Sequence, residues 1–305
     1  LENWVALQDD YQCYFMVADW HVLTTDTEHS QSIPVNTKEM VLDWISAGLD
    51  PERSTIFVQS HVKEHAELYL LFAMLITQAR LERNPTLKEQ IRDLNIETEG
   101  GVSYGHLGYP VLQASDILIY RAHIVPVGED QLPHIEITRE IARKFNRLYG
   151  DVFAIPEGKL TKFARFPGLD GKRMSKSLGN SIELADSPED IQKKIRTAFT
   201  DPQRKRRDDP GRPEVCLIYT YWEKFAPEQT GEIHEGCTSA QLGCVDCKMR
   251  VGDAIAGFLA PLREKRAALE GRPGAVEEIV AEGDEKARAR AVETMEMVRE
   301  KMHIG

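Results

Sequence analysis

Short apolar runs rich in β-branched and aromatic residues alternate with helix-length stretches through the first half of the chain, and this alternation restricts the fold more than any other feature. CYFMVAD (13–19) and TIFVQS (55–60) are strand-like, and between them TKEMVLDWISAGL (37–49) shows a helical pattern that ends at Gly48. A third such run, AHIVPVG (122–128), follows the helical stretch 109–120 and precedes a long helical pattern from Gln131 to Tyr149. Strands separated by helices of this length predict βαβ units and a parallel sheet covered on both faces. In such sheets ligands bind beyond the carboxyl ends of the strands, which directs attention to Asp19–His21 and Gly128–Gln131.

From about Ser187 the strand signals stop and helical patterns dominate, interrupted by DPQRKRRDDPGRP (201–213) and GRPG (271–274). The expected organisation is therefore α/β over residues 1–186 and helical over 187–305. The last segment, DEKARARAVETMEMVREKM, reads as an amphipathic helix with a solvated charged face. A chain of 305 residues with 42% apolar content buries a substantial core in two domains. LYLLFAMLI (68–76) is about half a membrane span, and Leu1 to Asp10 reads as a helix rather than an export signal, so a cytoplasmic protein is expected. The net charge of −11 argues against broad nonspecific nucleic-acid binding and leaves room for local basic faces.

Three stretches carry chemistry. In GYPVLQASDILIY (108–120), Tyr109, Gln113, Asp116 and Tyr120 form a polar stripe at helical spacing among apolar neighbours. A carboxylate there requires either a structural partner or a ligand N–H or O–H. In IVPVGEDQLPHIEITRE (124–140), Gly128 at a strand end allows close approach of a ligand, and Asp130 and Gln131 open a helix. GKRMSKSLGN (171–180) is a glycine-flanked loop with hydroxyls and basic groups suited to closing over polyphosphate. Lys159, Lys162, Arg165, Lys172, Arg173 and Lys176, against Asp170, make this the clearest basic patch, and Arg204–Arg207 is a second.

YPVLQASD, VPVGEDQLPHIEITRE and RMSKS, in this order and spacing, resemble the bacterial tryptophanyl-tRNA synthetases, class I enzymes, and the resemblance spans nearly the whole chain. It implies a Rossmann-type catalytic domain with dimer-forming helices, a helical anticodon-binding domain and a homodimer. The implied reaction converts L-tryptophan and ATP, with Mg²⁺, to tryptophanyl-adenylate and pyrophosphate, followed by transfer to tRNA(Trp). By matched position, Asp116 accepts the indole N–H, and Tyr109, Gln113, Gln131 and His21 complete the amino-acid pocket. Gly128, Glu129 and Asp130 hold the ATP ribose, and Phe166 marks the backbone that reads adenine. Arg173, Met174, Ser175, Lys176 and Ser177 form the signature loop, with Lys176 the principal catalytic group.

The sequence departs from the family at three places. Arg173 stands for the first lysine of the signature, with Lys172 beside it. Gln113 replaces a common methionine and is a feature of tyrosyl-tRNA synthetases, which makes a tyrosyl enzyme the alternative. The N-terminal strand and histidine- and glycine-containing phosphate motif, expected ahead of a segment like LENWVAL, are missing, which admits a synthetase-like RNA-binding protein without aminoacylation.

Cys216, Cys237, Cys244 and Cys247 follow a C-x20-C-x6-C-x2-C pattern, leaving Cys13 as an ordinary buried thiol. In a chain read as intracellular these are reduced thiols, and four thiolates suit zinc or an iron–sulfur cluster; spacing does not choose between them. The pattern is similar to that of a subset of tryptophanyl-tRNA synthetases with a 4Fe–4S cluster, which implies a structural cluster pinning 235–248 to the helix containing Cys216.

Overall fold

The computed structural model describes residues 1–93, 101–160, 166–174 and 178–305, in two compact units. The first comprises Leu1–Ala164 and Arg272–Gly305, the second Arg165–Gly271. The sequence reading placed the boundary at 186/187 and kept the terminal helix with the second domain; by packing, that helix belongs to the first unit.

In chain order the first unit contains α1 (Glu2–Leu7), β1 (Cys13–Val17), α2 (Asp19–Val22), α3 (Ile33–Ser46), β2 (Ser54–Val58), α4 (Glu64–Ala73), α5 (Gln78–Glu82), α6 (Pro85–Asp93), α7 (Tyr104–Leu118), β3 (Ile124–Val127), α8 (Leu132–Tyr149) and β4 (Glu157–Leu160). The second contains α9 (Pro188–Arg196), α10 (Leu217–Phe225), α11 (Thr230–Thr238) and α12 (Cys244–Glu270), after which α13 (Ala275–Met302) returns to the first. The strands expected at 13–19, 55–60 and 122–128 are present with trimmed ends. β4, EGKL, has too little apolar content to signal a strand and was not anticipated.

β1 pairs in parallel with β2, Phe15 opposite Ile56, and β3 pairs in parallel with β4, Ile124 opposite Glu157. These are separate two-stranded sheets. A cavity of about 460 Å³ lies between Cys13–Met16 of β1 and Ile124–Pro126 of β3, with Phe57 and Tyr120 in its wall. The outer edge of β2 is closed by α13: Asp284 Oδ1 accepts from the Val58 amide at 3.0 Å and Oδ2 pairs with His61 Nδ1 at 2.6 Å. A covered edge removes a template for unwanted strand pairing. Ala287, Ala291, Met295 and Val298, one face of α13, sit fully buried in the same core as Phe57, Leu68, Phe72, Leu118 and Phe145.

In α7, Ser103 caps the helix by accepting from the His106 amide at 3.1 Å, which satisfies one of the unpaired first-turn donors. The second unit starts α9 with equally local chemistry. Ser187 caps α9 through the Asp190 amide, Pro188 takes the first turn, and Lys193, Lys194 and Arg196 meet the negative end of the helix dipole. Ile191, Ile195, Ile218, Tyr221, Trp222, Val251 and Ile255 form its core.

Candidate active site and thiol pocket

Asp116 is the centre of the polar stripe on α7, and its side chain is 7% exposed. Oδ1 accepts from Gln59 Nε2 at 2.8 Å and His65 Nδ1 at 2.7 Å, and Oδ2 from His21 Nε2 at 2.7 Å. Burial alone would push the carboxyl up, but the hydrogen bonds from His21 and His65, with their charge, hold it at about 2. Asp116 is therefore an ionised, acceptor-only group at neutral pH. Of roughly four lone-pair sites on a carboxylate, three are occupied by donors among the described residues.

The element carrying His21 is tied to the same centre. Gln59 Oε1 accepts from the Trp20 amide at 3.2 Å, and Asp19 Oδ1 accepts from the Trp20 and Ser60 amides at 3.1 and 3.0 Å. The carboxyl ends of β1 and β2 thus meet over Asp116, as ligand binding beyond strand ends requires. Gln59 and His65 carried no sequence signal, because a lone polar residue beside an apolar run reads as core filling until its partner is known.

Tyr109 lies two turns earlier on α7. Its hydroxyl is 2.7 Å from His134 Nε2, and His134 Nδ1 is 2.9 Å from Asn84 Nδ2. Asn84 Oδ1 accepts from the Thr86 amide at 3.0 Å, which orients the amide so that its nitrogen faces His134. Burial lowers His134 to about 4, so it is neutral, accepts at Nδ1 and donates from Nε2. Burial raises the Tyr109 hydroxyl well above its usual range, so it keeps its proton and has it free to donate elsewhere. His134, in the first turn of α8, orients the hydroxyl of a predicted pocket residue.

Gly128 ends β3; a Cβ there would stand 2.8 Å from Asp130 Oδ1, so glycine permits the carboxylate to fold back against the backbone. Glu129, Asp130 and Gln131 form a 3-10 turn, and α8 itself opens at Leu132. Glu129 is exposed, Asp130 and Gln131 are half-buried, and Gln131 Nε2 donates to Asp130 Oδ2 at 3.3 Å. Gln113 is half-buried on α7. In the second unit Phe166 packs edge-on against Tyr221 at 4.7 Å, Arg173 bridges to Pro167, and Met174 packs on the core. Ser175, Lys176 and Ser177 lie outside the described residues, as do Lys162 and Arg165.

A sequence-family profile described as tRNA synthetases class I (W and Y) matches residues 1–260. The chain belongs to this family. Tryptophan–tRNA ligase from Thermotoga maritima is 48% identical and that from Aquifex aeolicus 40% identical; each alignment takes in 100% of this chain and 93% or 94% of the relative. The tryptophanyl-tRNA synthetase of Campylobacter jejuni, solved with ADP and tryptophan, superposes with a TM-score of 0.89 at 31% identity, covering 99% of this chain and 93% of that one. The class I synthetase fold, a Rossmann-like parallel-sheet domain with a helical domain, is thereby established for the chain.

The four cysteines of this class I synthetase converge. Cys216 stands at the N-cap position of α10, Cys237 is in the last turn of α11, and Cys244 and Cys247 lie in the first turn of α12. Together with Arg204 and Thr200 they line one cavity of about 20 Å³. The expected loop 235–248 is thus two helix ends joined by a short turn. Burial pushes the Cys247 thiol up to about 11 against a hydrogen bond from Trp222 Nε1 at 3.3 Å. Burial also raises Cys237, opposed by Arg204, whose Nη1 lies 3.7 Å from its sulfur. Gly211 cradles this sulfur, since a Cβ there would fall on it. Among the described residues no group of three or more His, Cys, Asp or Glu side chains is placed to hold a metal ion. The chemistry of the donor set, four half-buried thiols of which Cys237 and Cys247 also receive N–H donors, nevertheless suits a thiolate-bound group. Cys13 is half-buried in β1, its thiol 3.5 Å from the Tyr11 carbonyl.

Of the second basic patch, Arg204 turns inward, bonding the Arg207 carbonyl at 2.9 Å besides Cys237, while Lys205, Arg206 and Arg207 are exposed. Arg212 closes this loop on Asp201 with bonds of 3.0 and 2.6 Å. Among the described residues no helix is long and apolar enough to cross a membrane.

Proposed function

We propose that the chain is a tryptophan–tRNA ligase acting in the cytoplasm as a homodimer, which activates L-tryptophan with ATP and transfers it to tRNA(Trp). The observation that carries this reading is the buried, ionised Asp116 with one acceptor site to spare, on the helix face that also presents Tyr109. An indole N–H is the donor it suits; a side chain without one would leave that remaining acceptor position desolvated and empty, a penalty on the order of 10⁴-fold. The relatives named tryptophan–tRNA ligase over the full chain support the same conclusion.

The substrate carboxylate is already ionised and attacks the α-phosphorus of ATP as pyrophosphate departs, so no general base is needed. His21, Tyr109, Gln113 and Gln131 orient the amino acid, Gly128–Asp130 hold the ribose, and Phe166 backbone meets adenine. Lys176, with Arg173, Met174, Ser175 and Ser177 of the signature loop, meets the charge that grows on pyrophosphate. Mg²⁺ supplies further neutralisation of the phosphates. The second unit reads the anticodon, with Lys205–Arg207 as its phosphate contacts. Exposed Leu70 and Met74 of α4 and Tyr104 of α7 suit the dimer face. Cys216, Cys237, Cys244 and Cys247 would hold a 4Fe–4S cluster, with zinc the alternative; such a group would tie α10, α11 and α12 together and would take no redox part in the reaction.

ATP–pyrophosphate exchange with each of the twenty amino acids tests the reading. Tryptophan alone should support exchange, whereas preferential exchange with tyrosine would make the chain a tyrosyl enzyme. No exchange with any amino acid would favour an RNA-binding role.

A further inference from the structure

We infer that His65 and Tyr120 are positioning residues for amino-acid selection, acting through Asp116 rather than on the substrate. The inference rests on the reading of Asp116 as the indole acceptor and adds residues that reading does not contain. His65 is fully buried on α4, and its ring bridges two groups: Nδ1 lies 2.7 Å from Asp116 Oδ1 and Nε2 lies 2.8 Å from the Tyr120 hydroxyl. Because Asp116 only accepts, His65 Nδ1 donates to it in either charge state of the ring. Tyr120 keeps its proton, burial and the Asp116 charge raising it far above its usual range. With neutral His65 the hydroxyl donates to Nε2, and this fixes the tautomer that points an N–H at Asp116.

The Tyr120 ring is itself fixed, stacked on Tyr14 at 4.6 Å and edge-on to Phe57 at 5.3 Å. The chain from Tyr120 through His65 to Asp116 Oδ1 is therefore built on rigid neighbours. Gln59, fully buried, fills the second position on the same oxygen. With Oδ1 saturated by two donors, the open acceptor position falls on Oδ2, beside His21. His65 and Tyr120 thus determine which oxygen of Asp116 is presented to a ligand and keep the carboxylate from rotating to satisfy itself elsewhere. Supporting hydrogen bonds of this kind lock the orientation of a binding group.

The test compares tryptophan with β-(3-benzothienyl)alanine, which has the same shape but sulfur in place of the N–H, by pyrophosphate exchange on the full chain. His65→Leu should lower kcat/KM for tryptophan roughly 10- to 100-fold, the factor for one hydrogen bond to a charged group. The benzothienyl analogue and the KM for ATP should stay within about threefold, so the preference for tryptophan collapses. His65→Asn places an amide nitrogen near the lost Nδ1 and should restore most of the preference, with Tyr120→Phe between the two. Equal losses for both substrates would show a merely structural role and overturn the inference, as would an unchanged ratio in His65→Leu. Should that variant not fold, an unchanged ratio in Tyr120→Phe overturns it instead. A wild-type chain that does not activate tryptophan would sink the functional reading itself, a distinguishable result.

Discussion

Replacing Gly283 by alanine tests how the C-terminal helix is held in the first unit. A Cβ at Gly283 would fall inside the Ile56 carbonyl oxygen and stand 2.7 Å from its carbonyl carbon and 3.3 Å from its amide nitrogen. Carbon atoms in contact prefer about 3.5–4.0 Å, so α13 must back away from β2 by roughly 1 Å. The next residue, Asp284, then loses its bond to the Val58 amide, now 3.0 Å. Overpacking against rigid backbone costs about 1–3 kcal/mol and the lost hydrogen bond to a charged group about 1.5–3 kcal/mol. The helix-forming gain of alanine over glycine returns about 1 kcal/mol, which leaves a net loss of about 1.5–5 kcal/mol. Gly257, exposed on α12 with nothing within 4 Å of a Cβ, is the control: the same substitution there should stabilise the second unit by up to about 1 kcal/mol. Urea unfolding followed by circular dichroism measures both. A Gly283→Ala variant within about 0.5 kcal/mol of wild type would refute the account of how α13 is docked.

Because His134 is lowered to about 4 in the folded chain from an ordinary value near 6.5, its contribution to stability is complete above about pH 6.5 and is lost as pH falls through about 4. Unfolding in that window should take up one extra proton, a loss of about 3 kcal/mol at most, and His134→Gln should abolish that part of the pH dependence in urea titrations. Lys176→Ala should lower kcat in pyrophosphate exchange with a smaller change in the KM for ATP; a change in KM alone would mean uniform ground-state binding. Protein purified without oxygen should contain about four irons per chain and absorb near ~400 nm, and Cys244→Ser should lose both iron and stability. Metal-free wild-type protein whose stability is indifferent to Cys244→Ser would remove the proposed cluster. Charge reversal of Lys205 and Arg206 should weaken tRNA binding and reduce its salt slope by about 1 per residue; reversal of Arg204 should instead disturb the thiol pocket.

The sequence by itself determined the local features. Strand-like runs at 13–19, 55–60 and 122–128 alternating with helices required a parallel α/β arrangement, because pattern and turn chemistry act over a few residues. The motif residues Asp116, Tyr109 and Gly128–Gln131 were legible for the same reason, as was the grouping of four cysteines. Tertiary structure decided what lies at long range. The apolar face of α13 fits β2 and α4 of the first unit, whereas its periodicity said only that one face was buried. His65 and Gln59 acquired a role only when folding set them 2.7 and 2.8 Å from Asp116. Arg204 shared a basic run with three exposed neighbours, and only packing turned it towards Cys237. Periodicity reports which face of an element is buried; the partner that covers that face, and the donor that meets a buried acceptor, depend on contacts between residues far apart in sequence.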